Sequence, residues 1–250
     1  MRSTLRFALT TVLLFSFLIS PVKAQTPDDP TFARDGSILE TSQSLPARDV
    51  ELTADLTEGF EDVTTLPSNG WAQINKSDPI GSTGWFQGNS SVFPAHAGDV
   101  THYIGANFNN TAGTGTISNW LILPTRLLKN GDTLTFFTRT TTGSTWPDRL
   151  EVRMSLAGDS EDVGAGAFDV GDFDQLLLSI NENLIVDGYP SEWTQVTIQL
   201  QLSQPVLGRL ALRYFVINAG PTGSNSNYIG IDSLTYVEGP WVTFLPLVLK

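Results

Sequence analysis

The sequence predicts an all-β fold, a two-sheet antiparallel β-sandwich of jelly-roll type, and three observations carry that prediction. First, some segments alternate strictly. In residues 148–156, Leu150, Val152, Met154 and Leu156 share one side while Arg149, Glu151, Arg153 and Ser155 share the other, which is the period of a half-buried strand. Second, the chain is rich in residues that suit pleated surfaces and tight turns, with 28 Thr, 22 Gly and 14 Pro in 250 residues. Third, no window of helical length outside the first 24 residues carries a 3.6-residue apolar period. Many short strands without strand–helix alternation indicate antiparallel sheets packed face to face.

Taken in order, the expected strands are residues 101–108, 118–122, 132–138, 148–156, 194–202, 209–216 and 228–237. In 194–202, Val196, Ile198, Leu200 and Leu202 face inward, and Gln195, Thr197, Gln199 and Gln201 face outward. Gly-rich or Asn-rich turns separate them at 109–115, 130–131, 140–144 and 220–227. The segment 173–180, with Leu176, Leu177 and Leu178, fits a short helix or a buried strand, since periodicity over so few residues does not separate the two. Residues 25–56, broken by Pro27, Pro30 and Pro46, read as a linker or N-terminal arm. No repeat of solenoid or propeller length is visible.

Arg2 and Arg6, the apolar run 7–19, and then Pro21, Val22, Lys23 and Ala24 form the three parts of a secretory signal cut before Gln25. The run is too short for a spanning helix, which needs about 20 residues. Its removal takes Arg2, Arg6 and Lys23 and moves the formal charge from −12 to −15. This acidic balance excludes a phosphate-tracking nucleic-acid binder. Cysteine is absent, which removes disulfides, thiolate catalysis and Cys-ligated zinc together and, in a secreted chain, points to a bacterial exterior.

Four segments then resemble a known family in their order and spacing. They are Glu58-Gly59-Phe60-Glu61 followed by Pro67 to Trp71; Ser118-Asn119-Trp120-Leu121-Ile122 with Pro124; Trp146-Pro147-Asp148-Arg149-Leu150-Glu151-Val152-Arg153; and residues 208–216 running into Ser226-Asn227-Tyr228-Ile229-Gly230-Ile231-Asp232. Residues 171–181 and 189–193 also look like that family. Over about 57–238 the chain is similar to the choice-of-anchor J domain, a bacterial extracellular jelly roll related to cleaved-adhesin and MAM-like domains. The resemblance implies a secreted or cell-surface binding or adhesion domain with no general catalytic activity, meeting an extracellular glycan or protein. The ending departs from the family's sorting signals: residues 239–250 finish as Trp241 to Lys250, WVTFLPLVLK, read as a final packed strand or as a sorting tag, and too short to span a bilayer.

The resemblance also implies a structural calcium site where first and last strands meet, with Glu61, Asp99 and Asp232 as ligands and Asp62 and Glu58 as substitutes. Calcium takes six to eight oxygens, so acids beside irregular backbone suit it; the alternative is that Glu61 and Asp232 serve backbone donors or solvated turns. The acidic stretch 159–174 lacks EF-hand spacing and reads as a solvated loop. His96 and His102, six apart, lack the spacing of a zinc protease, and no Gly-x-Ser-x-Gly elbow is present, so an uncharacterised hydrolase is the weakest reading. Trp146, after the Thr- and Ser-rich residues 140–145, and Trp85, after Gly81 to Gly84, are the candidates for an exposed ligand platform. They would serve a carbohydrate-binding module as well as an adhesin. Trp71, Trp120 and Trp193 are expected in the interior.

Overall fold

A computed structural model describes residues 55–240. The expected signal segment, the arm up to residue 54 and the tail from Trp241 onward lie outside the described residues. Thirteen strands follow one another: β1 Leu56–Glu58, β2 Ala72–Asn75, β3 Asp78–Ile80, β4 Phe86–Gln87, β5 Ile104–Asn107, β6 Thr111–Ile122, β7 Arg126–Leu128, β8 Thr133–Thr140, β9 Leu150–Ser155, β10 Gln175–Ile180, β11 Thr194–Gln199, β12 Val206–Ala219 and β13 Tyr228–Val237. One sheet runs β11-β8-β13-β5-β4, with β1 also on β13; the other runs β10-β9-β12-β6-β2, with β3 on β6 and β7 on β12. Every pairing is antiparallel. The two-sheet sandwich is therefore present as the alternating segments require.

The inward residues meet between the sheets, where Phe136, Leu150, Val152, Leu212, Tyr214, Ile229 and Ile231 are all fully buried. Each large apolar side chain taken out of water there contributes about 1.5–3 kcal/mol. Two sequence expectations need correction. The turn placed at 109–115 is a 3₁₀ turn, Phe108–Asn110, followed directly by β6; Thr111 and Gly115 face close backbone and extend the ladder that their Gly-Thr composition conceals. The ambiguous segment 173–180 is the edge strand β10, half-buried rather than buried, with Leu176 exposed.

The acidic stretch is the loop the sequence predicts, with Asp159, Glu161, Asp162, Asp169, Asp172 and Asp174 all exposed, and buried Val163, Ala167 and Phe173 make it a strap on the sheet beneath. Val163 and Phe173 lie on the outer face of β6 and β12 against Trp120, Ile122 and Ala211. Arg213, buried in that face, donates to Glu151 Oε2 (3.1 Å), Ser118 Oγ (3.0 Å), Ala167 O (2.6 Å) and Asp169 O (3.2 Å). Its guanidinium also lies 4.6 Å from the Trp120 ring and 3.9 Å from the Phe215 ring. Burial pulls its pKa down to about 10, opposed by the neighbouring Glu151. The strap explains why Glu151, on the polar side of the alternating segment, is buried.

A second strap, residues 88–103, covers the outer face of the other sheet. Phe93 stacks on Tyr103, meets Trp193 and Tyr228 edge-on, and takes the Arg139 guanidinium at 4.6 Å from its ring. Where the described chain enters and leaves the fold, Leu56 pairs with Tyr236, and Glu238 N donates to Asp55 Oδ1 at 3.0 Å.

Candidate binding surface

The loop between β8 and β9 carries Trp146, and a buried acid holds it in place. The Asp148 carboxylate is fully buried and accepts from Thr140 Oγ1 (2.6 Å), Tyr214 OH (2.5 Å) and Asn227 N (2.8 Å). Desolvation raises its pKa above the usual carboxylate value, against the lowering effect of these donors. Asn227 in turn donates through Nδ2 to Thr141 Oγ1 (2.7 Å) and Ser144 Oγ (2.9 Å), and Ser226 N donates to Pro147 O (3.0 Å). Ser144 Oγ closes the loop on Trp146 O at 3.0 Å. Gly143, at φ 72°, permits the left-handed turn that this short circuit demands.

On that frame Trp146 keeps half of its surface exposed (50%). Trp146 borders a cleft of about 220 Å³ shared with Phe108, Pro221, Ser226 and Asn227. It also borders a space of about 20 Å³ beside Asp148, Tyr189 and Ile185, a size that fits one water. Ile185 and Val186 are exposed on the adjoining loop. A half-exposed, rigidly seated aromatic ring flanked by hydroxyl and amide groups is the composition of a recognition surface, because stacking area and directional hydrogen bonds converge.

Trp85 does not form such a platform. Its ring belongs to the main core and is only 6% exposed, and with Trp71 it underlies a shallow groove at Val63, Pro67 and Gln73. Its indole N–H has no hydrogen-bond partner among the described residues. Trp71 and Trp120 are buried as expected, and Trp193 packs on Phe93, Tyr103 and His96.

The three expected calcium ligands are not gathered. Among the described residues no group of three or more His, Asp and Glu side chains is placed to hold a metal. Asp232 is buried and its carboxylate accepts from His96 N (2.8 Å), Ala97 N (3.1 Å) and Ser233 N (2.5 Å), so it pins the second strap through amides. Burial raises its pKa, against these donors. Glu61 and Asp99 are exposed, and Asp99 lies 3.8 Å from His102 Nε2. Of the substitutes, Asp62 caps the 3₁₀ turn Val63–Asn69 through Thr64 N (2.9 Å), and Glu58 accepts from Phe60 N (2.8 Å). His96 stacks on Phe137 and contacts Ser233 Oγ at 3.1 Å, a structural use of the imidazole.

The sequence matches no family profile and no curated protein. Its fold is similar to the K1 cleaved adhesin domain of Lys-gingipain from Porphyromonas gingivalis W83, with a TM-score of 0.50 and 20% identity over 75% of this chain and all of that one. The K2 cleaved adhesin domain of Lys-gingipain gives 0.49 and 21%, over 74% of this chain and 99% of that one. The CBM22-1 xylan-binding domain of Paenibacillus barcinonensis Xyn10C gives 0.41 and 17%, over 73% and 92%. At these identities the likeness to K1 is one of fold, an adhesin-like β-sandwich.

Proposed function

We infer that the chain is a secreted or cell-surface, non-enzymatic binding or adhesion domain of the choice-of-anchor J type, and that it meets its ligand through the Trp146 end of the sandwich. The observation that carries this reading is the half-exposed Trp146 ring, seated by Asp148 and Asn227 beside a cleft of about 220 Å³. The motifs at Glu58 to Trp71, Ser118 to Ile122 and Ser226 to Asp232 support the family, and the adhesin-like fold agrees with it.

A saccharide is the ligand class this surface favours over a protein. A sugar ring stacks its C–H face on an indole and places hydroxyls against groups such as Ser226 and Asn227. Glycan-array binding of the wild type and of Trp146→Ala, each with calcium and with EDTA, tests the reading. Retention by the wild type and at least tenfold weaker retention by the variant, with unchanged melting, supports it; equal retention by both removes Trp146 from the site. Equal binding in calcium and EDTA is expected, since Glu61, Asp99 and Asp232 are not gathered, and no glycan binding in either leaves protein adhesion.

A further inference from the structure

The hairpin between β7 and β8 buries a lysine among acids, independently of the ligand surface. Lys129 is 3% exposed and Asp132 is fully buried. The Lys129 ammonium donates to Glu238 Oε2 and lies 3.5 Å from Asp132 Oδ1. The pairing Thr133↔Val237 and Leu134↔Tyr236 sets Asp132 and Glu238 side by side. Asp132 is itself fixed, accepting from Lys129 N (2.7 Å), Gly239 N (2.7 Å) and the Tyr236 hydroxyl. The Arg126 guanidinium lies over the Tyr236 ring at 4.5 Å and is electrostatically coupled to Glu238 and Asp132. Lys129 and Arg126 thus share the site with three carboxylates, buried Asp132, partly buried Glu238 and exposed Asp55, and a buried ion pair carries a desolvation penalty that its attraction offsets only in part.

The geometry points to a covalent outcome: an intramolecular isopeptide bond between Lys129 Nζ and Glu238 Cδ. One proton passes from the ammonium to the Glu238 carboxylate, which leaves a neutral amine and a neutral carboxylic acid. The amine nitrogen attacks Cδ, and Asp132 Oδ1 accepts the proton shed by nitrogen and returns it to the departing hydroxyl. The N–C bond forms, the C–OH bond breaks, and one water leaves; no oxidant or co-reactant enters. Fixed proximity supplies the effective concentration, and an amine held in a desolvated site with an adjacent base is an activated nucleophile. The product removes one charge of each sign and leaves Arg126 with Asp132 and Asp55. It closes a loop of 109 residues and ties the last strand to the β7–β8 hairpin, a constraint on the unfolded chain of the kind a disulfide supplies elsewhere, in a chain without cysteine.

The test is the mass of the purified full chain, with its N-terminus fixed from its first peptide. The bond lowers the intact mass by about 18 Da, one water, relative to the sequence. Trypsin then leaves Lys129 uncut and yields one linked species that joins the Lys129 peptide to the peptide holding Glu238. Lys129→Arg and Glu238→Ala return to their sequence masses, and Asp132→Asn, which keeps both partners, slows or abolishes the loss. Wild-type protein at its full sequence mass, with tryptic cleavage after Lys129, overturns the proposal whether or not the variants fold.

Discussion

Asp148 shows how one buried acid sets the geometry of the surface above it. Its folded pKa is raised by desolvation above the unfolded value near 3.8, so the folded state holds the proton to higher pH than the unfolded chain does. The associated stability is complete below the unfolded value and is lost as pH rises through the folded one, by up to about 1.4 kcal/mol per pH unit. Urea denaturation of the wild type and Asp148→Asn from acid to neutral pH should therefore show the advantage of the wild type shrinking as pH rises. Asp232 makes a different prediction. Asp232→Ala removes the acceptor of the His96, Ala97 and Ser233 amides, which are partly buried, and the loss should be about 1–3 kcal/mol. Because the partners are amides, the loss should be the same in calcium and in EDTA, as melting curves in both will report.

At the scale of the element, the two straps decide how much sheet surface reaches water. Arg213 holds the acidic strap through the Ala167 and Asp169 carbonyls, and is itself seated in the sheet by Glu151 and the Trp120 and Phe215 rings. Arg213→Ala leaves Glu151 buried with Arg153 as its remaining partner, a change that costs about 3–5 kcal/mol when a buried pair is broken. The strap should then become the first site of limited proteolysis, cut within 157–174 before any strand. Strand β10 carries a second prediction. It is an edge with no charge in Gln175–Ile180 and an exposed Leu176, a pattern that invites edge-to-edge pairing. Leu176→Lys should reduce concentration-dependent self-association, measured by light scattering, and leave the melting temperature within a few degrees.

Across the whole molecule, the sequence revealed what depends on local period and concealed what depends on distant partners. The strand expected at 228–237 matches β13 at both ends, and the alternation of 148–156 and 194–202 marks β9 and β11. The two tryptophans show the limit. Trp85 and Trp146 both follow small, polar loop residues, yet one ring packs into the core and the other stands half-exposed because Asp148 and Asn227, brought together across 79 residues, frame it. The packing of the strap is hidden in the sequence for the same reason: Val163 and Phe173 look isolated among acids until Arg213 and Trp120 arrive from β12 and β6. Lys129 and Glu238, likewise, are neighbours only once β8 lies against β13.

The pairing of β1 with β13 has a mechanical consequence. The described chain comes in at Asp55 and goes out at Glu238, and these two residues share a hydrogen bond at one end of an antiparallel ladder. Tension applied at those two points pulls the strands apart from that end and opens the ladder one rung at a time, as a zipper opens, with no moment at which all rungs bear load together. The β1–β13 junction is thus a compliant attachment, which yields to a weak tug while the sandwich behind it keeps its shape.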